Sequence, residues 1–309
     1  MPNMLSFAEW TGFAPGGEYE ENPVAREHFP NNPKWVRAIS RLAARAKRPM
    51  VEIELDEVAV VALTDSKFGG VPYLPFDAEV PTSSTGEQLA LLAQVNCEQL
   101  PANGLYPERG ILQFWIGRDE QYGLDEDDLT SGSGSCVIYH KYVNEAVTKD
   151  HVLQKYRMPT PGSEAYPMQM VHGYRMIFTP GHCELSCDDY VFNPLVKAAF
   201  ADEGIKFDPE EDYDHELWDK FNDCIHELFL PDYVRIGGFP AFCDDDPRPG
   251  QYEGYTVPLL AIGSHDLVEF ADLAEVNFLI RPDQLEREDF RQVLYYWDEL
   301  IEDEEDGEF

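Results

Sequence analysis

The sequence predicts an α+β fold, built from mainly antiparallel β-sheets with flanking helices and from two related, pseudo-symmetric halves. Two observations support this prediction. Most predicted strands follow one another through short turns, whereas a parallel sheet needs a long crossover, usually a helix, between neighbouring strands. In addition, two segments of the chain are similar to each other and carry their matches in the same order, which is typical of an internal duplication.

The repeated segments each begin with a Gly-Gly loop. Residues 67–75 read Lys-Phe-Gly-Gly-Val-Pro-Tyr-Leu-Pro, and residues 235–243 read Arg-Ile-Gly-Gly-Phe-Pro-Ala-Phe-Cys, at an offset of 168 positions. The same offset aligns the Leu-Leu-Ala triplets that begin at Leu91 and Leu259. Ordered matches of this kind indicate a duplication rather than a coincidence.

Further matches follow after a gap of a few positions. Gln-Phe-Trp-Ile at residues 113–116 aligns with Asn-Phe-Leu-Ile at residues 277–280 at an offset of 164. We therefore describe the chain as one domain of residues 1–309 that contains two halves and an acidic tail. The parts are a first half at residues 34–145, a second half at residues 146–300 and the tail at residues 301–309.

The first half is predicted to start with a helix, after an irregular arm of residues 1–33 that is rich in Gly, Pro and Asn. Apolar side chains recur at three- and four-residue spacing over residues 34–47, which predicts a helix with one apolar stripe. Val51–Leu55 alternates like a half-buried strand, and the apolar run at residues 58–63 predicts a second one. Further strands are predicted at residues 89–95, 110–117 and 136–143.

The second half is predicted to repeat this pattern after an insertion. A strand at residues 168–179 precedes two helices at residues 190–201 and 214–230, of which the second carries a broad apolar stripe. After the second Gly-Gly loop, Pro282 and Asp283 indicate the start of a short helix. The predicted elements of this part are strands at residues 256–263, 274–281 and 291–297, with a short turn or helix at residues 283–289.

The chain is strongly acidic, with 59 Asp and Glu residues against 23 Lys and Arg residues and a formal net charge of -36. A field of this sign repels phosphate backbones and attracts cations, so nucleic-acid binding is not expected and a basic protein is the expected partner. The alternative is that the source organism makes acidic proteins in general, in which case the charge indicates no partner. The six cysteines are scattered, the N-terminus lacks the features of a secretory leader, and no apolar run is long enough to cross a bilayer. These features predict a cytoplasmic protein with reduced thiols and no membrane contact.

One helix is basic in this acidic chain. The non-apolar faces of the helix at residues 34–47 hold Lys34, Arg37, Arg41, Arg45 and Lys47. One interpretation is a solvated face that pairs with the chain's own acids, and the alternative is a patch for an acidic ligand.

The Gly-Gly loops have a backbone explanation and a chemical one. Glycine permits positive φ angles, and the proline that follows fixes an extended path, so each loop is expected to form a sharp corner. Backbone N–H groups of such a turn can also form an anion-binding nest, which Lys67 or Arg235 would reinforce. The alternative is a purely structural corner whose cation is paired locally. The loops lack the spacing of a phosphate-binding loop or a dinucleotide fingerprint, so no nucleotide cofactor is expected.

Neither a metal site nor a catalytic thiol is indicated. His182, Cys183 and Cys187 have the right chemistry for zinc but lack a second close pair, and Asp244–Asp246 lacks the remaining ligands of a calcium loop. Cys136 and His140 fall on one face of a predicted strand but about 13 Å apart, which is too far for a hydrogen bond.

The second repeat carries a family resemblance. The segments Arg235–Pro240, Leu259–Ile262, Ala274–Ile280 and Tyr295–Asp298, together with Lys67–Pro72, resemble the YwqG-like family of uncharacterised bacterial proteins. The resemblance implies a duplicated α+β fold with antiparallel sheets. It supplies no catalytic residues. Some members look like part of bacterial toxin–immunity neighbourhoods, which implies a role in protein binding.

These observations favour a non-catalytic cytoplasmic protein that binds a basic partner, as an immunity or inhibitor protein does. The alternative is a ligand- or metal-dependent enzyme that uses a cleft between the two halves, because clefts between lobes commonly hold ligands. No cofactor and no metal is predicted. The candidate binding residues are Lys67, Gly69, Gly70, Arg235, Gly237, Gly238, Asp244, Asp245, Asp246 and Arg248.

Overall fold

The computed structural model describes residues 19–57, 60–160, 165–169, 172–212, 217–229, 234–243, 246–271 and 273–300. Its helices are α1 (Pro23–His28), α2 (Pro33–Arg45), α3 (Lys149–Leu153), α4 (Phe192–Asp202), α5 (Trp218–Leu228) and α6 (Pro282–Glu286). Its strands are β1 (Lys47–Asp56), β2 (Lys67–Phe68), β3 (Ala90–Asn96), β4 (Ile111–Ile116), β5 (Cys136–His140), β6 (Tyr174–Glu184), β7 (Arg235–Gly237), β8 (Val257–Ile262), β9 (Ala274–Ile280) and β10 (Leu294–Glu299). No helix in these ranges is long and apolar enough to cross a membrane.

The strands of the described residues form one sheet in the order β10-β9-β8-β7-β1-β6-β2-β3-β4-β5. Every pairing in it is antiparallel, which confirms the predicted α+β class. The long strands β1 and β6 lie in the middle and pair over all 10 residues of β1. We call this pair of strands the central ribbon.

The sheet curls so strongly that its two outer parts face each other across a common core. Phe114 on β4 and Phe278 on β9 have six strands between them in the sheet, yet their ring centroids lie 5.1 Å apart. A flat sheet with a strand spacing of about 4.8 Å would separate them by roughly 34 Å. The Tyr106 hydroxyl donates a hydrogen bond to the Leu259 carbonyl across the same space. The concave face therefore encloses the main core, to which both outer parts contribute buried side chains.

The convex face is covered on both sides of the central ribbon. Leu91 and Trp115 belong to an apolar cluster over β3 and β4, and Leu279 and Leu294 belong to another over β9 and β10. Helices α1, α2, α4 and α5 form a third layer that packs on residues directly after β6 and β7. This layer is centred on Trp35, whose ring makes an edge contact with another aromatic ring at 4.9 Å.

The basic helix is structural, as its first interpretation predicts. Helix α2 buries Trp35, Ile39 and Leu42 on one face, which confirms the predicted stripe. On the other faces, Arg37 binds Glu203 at 2.8 Å and Arg41 binds the same carboxylate at 3.0 Å. Arg45 and Lys47 also pair with acids of the chain, Asp202 and Glu184. Four of the five predicted cations are therefore paired within the chain; Lys34 is exposed, and Lys47 lies on β1 rather than on the helix.

Two of the predictions for the first half are wrong. Residues 60–63 form no strand, and Val60 is 85% exposed, so the apolar run does not mark a buried strand; residues 58 and 59 lie outside the described ranges. The arm is not wholly irregular, because α1 starts at Pro23, where the Asn22 side chain accepts hydrogen bonds from the first turn. Residues 1–18 and the tail at residues 301–309 lie outside the described part of the chain.

In the second half the predicted elements occur, with shifted boundaries. The strand predicted to end at Thr179 continues through Pro180 and Gly181 to Glu184, because β1 pairs with it along this whole length. The last strand begins at Leu294 rather than at position 291.

Both Gly-Gly loops form the expected sharp corners. All four glycines have positive φ, at 63° and 74° for Gly69 and Gly70 and at 75° and 73° for Gly237 and Gly238. The backbone also passes very close to its neighbours at these corners. A Cβ atom added to Gly70 would lie 2.9 Å from the His172 carbonyl oxygen, and one on Gly238 would lie 2.6 Å from the Cys183 Cβ.

The two Gly-Gly corners are also held by equivalent side chains. The Gln113 amide donates to the Tyr73 carbonyl at 2.7 Å, and the Asn277 amide donates to the Ala241 carbonyl at 2.7 Å. In each pair the acceptor follows the second glycine by three positions, and the donors are the residues matched at the offset of 164. Outward from the central ribbon, β2 to β5 and β7 to β10 follow in the same sequence order. A duplication would produce this arrangement, and the duplication itself stays a prediction from the sequence.

We predict that Gly238→Ala destabilises the fold far more than Gly204→Ala. Both glycines have positive φ, so both alanines carry a backbone cost of roughly 1–2 kcal/mol. A Cβ atom has nothing within 4 Å at Gly204 but meets Cys183 at Gly238. We therefore expect an additional loss of about 1–3 kcal/mol for Gly238→Ala, measured as the free energy of unfolding in urea. Equal losses in the free energy of unfolding for the two variants would show that the chain around Gly238 can move to accommodate the added Cβ atom at no cost.

Candidate binding surface

The cations of the two Gly-Gly corners are buried and bind backbone carbonyls. Lys67 is 2% exposed, and its Nζ donates to the carbonyls of Ala62 and Leu63 at 3.0 and 2.8 Å. Arg235 is fully buried, and its Nη2 donates to the Phe239 carbonyl at 2.9 Å. Burial lowers the pKa of Lys67 to about 7. Each cation therefore satisfies carbonyl groups of an irregular segment that has no strand partner.

These two cations do not share a site. Lys67 lies on β2, next to β6, and Arg235 lies on β7, next to β1, so the central ribbon separates them. Three strand spacings correspond to about 14 Å. Both side chains point to the convex face, since their neighbours Phe68 and Ile236 belong to the main core on the concave face.

The centre of the space between the two halves is filled by the main core, where Phe278 is 1% exposed and stacks on Tyr295 at 4.6 Å. The two halves touch there through buried apolar side chains. At the edge of this space a cavity of about 650 Å³ remains between Val137–Tyr139 of the first half and residues 287–291 of the second. The enzyme alternative placed its site between the halves, and that alternative stays a prediction from the sequence.

Asp246 and Arg248 come together in a buried ion network, whereas Asp244 and Asp245 lie outside the described residues. The Arg248 Nη2 binds Asp189 at 2.7 Å and Asp246 at 2.6 Å, and all three side chains are 2–3% exposed. The guanidinium also lies over the ring of Tyr190 at 5.0 Å. This network joins the loop after β7 to the segment that leads into α4.

A second arginine completes the charge balance of this network. Arg48 on β1 lies over the Phe239 ring at 4.0 Å and donates to the Thr256 carbonyl. The pKa of Arg48 is lowered to about 10, chiefly by burial; the charge of Asp189 opposes this shift and the positive charge of Arg248 adds to it. Burial also raises the pKa of Asp189, and Arg248 opposes that rise. Two arginines against two carboxylates leave the buried network neutral.

The surroundings of Cys136 and His140 do not favour a charged thiolate–imidazole pair. Burial raises the pKa of Cys136 to about 12 and lowers the pKa of His140 to about 4, so both groups are held in their neutral forms. Cys183 is buried beneath the second corner. In the ranges that the structure describes, no three His, Cys, Asp or Glu side chains are placed to hold a metal ion.

The outer face of the central ribbon is uncovered, and it is acidic. Residues of a strand point alternately to the two faces of a sheet. Val51 and Ile53 point into the main core, so Glu52, Glu54 and Asp56 point outwards. Opposite them on β6, in the same register, lie Thr179, Ile177 and Arg175. We call these six residues the acidic strip.

The acidic strip combines charge with an apolar anchor. Glu54, Arg175, Ile177 and Thr179 are exposed, and Ile177 is 44% exposed although it lies on one of the two middle strands of the sheet. Asp56 pairs with Arg175 at 3.4 Å, which leaves Glu52 and Glu54 as the excess negative charge. Arg235 on β7 and Lys67 on β2 flank the strip, one on each side, and both side chains are buried. The surface therefore lies between the two Gly-Gly corners that the sequence singled out.

The sequence analysis did not identify the acidic strip as a candidate surface, although the pattern of residues on β1 indicated part of it. The alternation Val-Glu-Ile-Glu-Leu at residues 51–55 predicts a half-buried strand with both glutamates outside. It does not predict that Glu54 lies opposite Ile177, because a strand pairing between residues 123 positions apart leaves no local pattern.

We predict that the charge of Lys67 makes stability rise with pH above neutrality. The folded-state pKa of Lys67 is about 7 and the ordinary value is 10.5, so the unfolded chain binds more protons between these values. Between pH 7 and pH 9 the contribution amounts to about 2 kcal/mol. The measurement is urea unfolding at both pH values for the wild type, Lys67→Met and the exposed control Lys220→Met. We expect the free energy of unfolding to rise more between the two pH values in the wild type and in the control than in Lys67→Met. Identical rises in all three proteins would contradict the prediction.

We further predict that Arg248→Met costs about 3–5 kcal/mol of the free energy of unfolding, because it leaves two buried carboxylates without their cation. Arg291→Met is the matched control. Arg291 also binds an aspartate at 2.6 Å, but its side chain is 86% exposed, so we expect a loss of at most about 1 kcal/mol. Losses of similar size in the two variants would show that burial does not strengthen the network.

The comparisons with known proteins give a family but no activity. No curated protein matches the chain. The family described as a domain of unknown function, DUF1963, matches residues 66–298, which is more than half of the sequence and includes both Gly-Gly corners. The matched segment also contains β6 with Arg175, Ile177 and Thr179, whereas β1 with its glutamates precedes it. The chain belongs to the DUF1963 family, a family defined by a domain of unknown function.

Proposed function

We propose that this chain is a non-catalytic binding protein whose acidic strip docks against a basic surface of a partner protein. The observation that carries the proposal is the uncovered outer face of the central ribbon. Apolar clusters and helices cover the convex face on both sides of it, and yet Glu54 and Ile177 are exposed between them. A contact that combines an exposed apolar anchor with surrounding carboxylates suits a basic protein surface.

The distribution of charged residues between the interior and the surface supports a positively charged partner. Among the described residues, the bases Arg48, Lys67, Arg118, Arg235 and Arg248 are buried. The acidic side chains buried with them are those of Asp189 and Asp246. The surface is therefore more acidic than the composition suggests. Such a surface accelerates the encounter with a basic protein and makes the association sensitive to salt.

The cellular setting and the finer family assignment belong to the same proposal. All six thiols are free, which supports a reducing compartment such as the cytoplasm. The motifs around Gly69 and Gly237 support a place among the YwqG-like proteins, for which an immunity-like role is a form of this binding function. In that role the partner would be a basic toxin domain.

The test compares two variants that change the net charge equally. Glu54→Lys with Asp56→Lys reverses charge on the acidic strip, and Glu145→Lys with Glu286→Lys does so on exposed positions outside it. Glu52 is left in place because it lies opposite buried Arg235. Each protein is immobilised and exposed to a lysate of the source organism at about 0.05 M and then at about 0.5 M salt.

We expect the wild type and the control variant to retain the same basic protein at low salt, and the strip variant to retain roughly tenfold less of it. Release at high salt would agree with an electrostatic contact. The proposal fails if no protein is retained, or if the strip variant and the control variant retain the same amount. Circular dichroism and the unfolding midpoint of each variant show that the fold is intact.

A further inference from the structure

The acidic strip consists of two rows with different chemistry. The row on β1 is acidic, and the row on β6 has Ile177 at its centre, directly opposite Glu54. Asp56 is paired with Arg175 at 3.4 Å. Glu52 and Glu54 have no ion-pair partner among the residues that the structure describes. The strip therefore keeps two unpaired negative charges beside one exposed apolar side chain.

The uncovered surface has the width of one α-helix. β7 pairs with β1 at Glu52 and β2 pairs with β6 at Arg175, so the strands that flank the strip are three strand spacings, or about 14 Å, apart. An α-helix with its side chains is about 10–12 Å across, and a second helix beside it needs a further 8–10 Å. From Glu52 to Asp56 the strip is about 14 Å long, which corresponds to about nine helical residues.

An extended segment does not suit this surface. The strip is the face of a sheet, and the backbone N–H and C=O groups of a sheet lie in its plane, directed toward the neighbouring strands. A strand that lay on the face would find no backbone partner there, whereas a helix satisfies its own backbone groups internally. A helix is therefore the element that covers the strip through side-chain contacts alone.

The spacing of the two unpaired glutamates also matches a helix. Glu52 and Glu54 are two positions apart on one strand, which separates them by about 6.8 Å. Side chains at positions i and i+4 of a helix lie on one face, about 6 Å apart along the axis. The residue at i+3 lies on the same side of the helix and next to this pair, so it would face Ile177 on the neighbouring strand.

We propose that the acidic strip binds an amphipathic α-helix of the partner protein. The helix carries Lys or Arg at positions i and i+4, which pair with Glu52 and Glu54, and an apolar side chain at i+3, which packs on Ile177. Recognition of an amphipathic helix through such regularly spaced anchors is a common mode of peptide binding. This inference rests on the docking function proposed above, and it names the element that docks.

The probe is a defined peptide, four repeats of Lys-Ala-Ala-Leu with blocked ends and a fluorophore, titrated with the whole protein at about 0.15 M salt. This concentration limits the attraction of more distant surface charges to a range of about 8 Å. The control peptide carries Pro in place of two central Ala residues, which keeps its charge and breaks its helix. We expect saturable binding with a Kd below about 1 mM for the first peptide and at least tenfold weaker binding for the second. Far-ultraviolet circular dichroism should show a gain of helix when the first peptide binds.

Two pairs of variants place the peptide on the strip. Glu54→Gln removes a charge from the strip, and Glu145→Gln removes one from an exposed position outside it. Ile177→Thr removes the apolar anchor, and Leu273→Thr makes the matched change next to β9, at a side chain that is 43% exposed against 44% for Ile177. We expect each strip variant to weaken binding of the helical peptide about three- to fivefold and each control variant to leave it unchanged.

The outcomes separate a failure of this inference from a failure of the proposed function. The inference alone fails if both peptides bind equally and both respond to Glu54→Gln, because the strip then binds basic segments without selecting a helix. It also fails alone if neither peptide binds while the lysate experiment still recovers a basic protein that depends on the strip. Equal binding of the helical peptide to the strip variants and their controls overturns the inference, and the lysate experiment then decides the proposed function by itself.

Discussion

The rest of the structure depends on the packing of one large sheet against itself. A sheet of ten strands has two faces, and the concave one is buried only because β4 and β9 approach each other across the core. Phe114 and Phe278 are fully or almost fully buried there, and removal of either ring would cost about 3–5 kcal/mol. This self-contact fills the centre of the space between the two halves and leaves cavities between them only near the edge of the sheet among the described residues.

The corners of the curled sheet also account for the structural role of the two loop cations, Lys67 and Arg235. Each Gly-Gly corner turns the chain away from a short strand, which leaves carbonyl groups of the adjacent irregular segments without strand partners. Long cationic side chains reach them, as Lys67 does at Leu63 and Arg235 does at Phe239. Burial of a charge is costly unless it is well paired, and the near-neutral pKa of Lys67 reflects that cost.

The sequence predicted the local features well and the long-range features poorly. The stripe of Trp35, Ile39 and Leu42 located α2, and glycine chemistry predicted both corners, because these patterns depend on neighbours along the chain. The burial of Lys67, the network of Arg248 and the filled space between the halves depend on contacts between distant residues. Arg248 meets Asp189 across 59 positions, and no local pattern encodes that pairing.

This difference also changes how charge should be interpreted in a protein of this kind. Lys67 and Arg235 became candidates because each could reinforce an anion-binding nest at a Gly-Gly loop, yet both are buried, as is the third basic candidate, Arg248. The glutamates of β1 did not become candidates, because acids are abundant, yet Glu54 is exposed in the middle of the sheet. In a strongly acidic chain a base has many carboxylates and carbonyls to bind internally, so its rarity favours a structural role. Exposed carboxylates on an otherwise buried element are then the more informative sign of a partner.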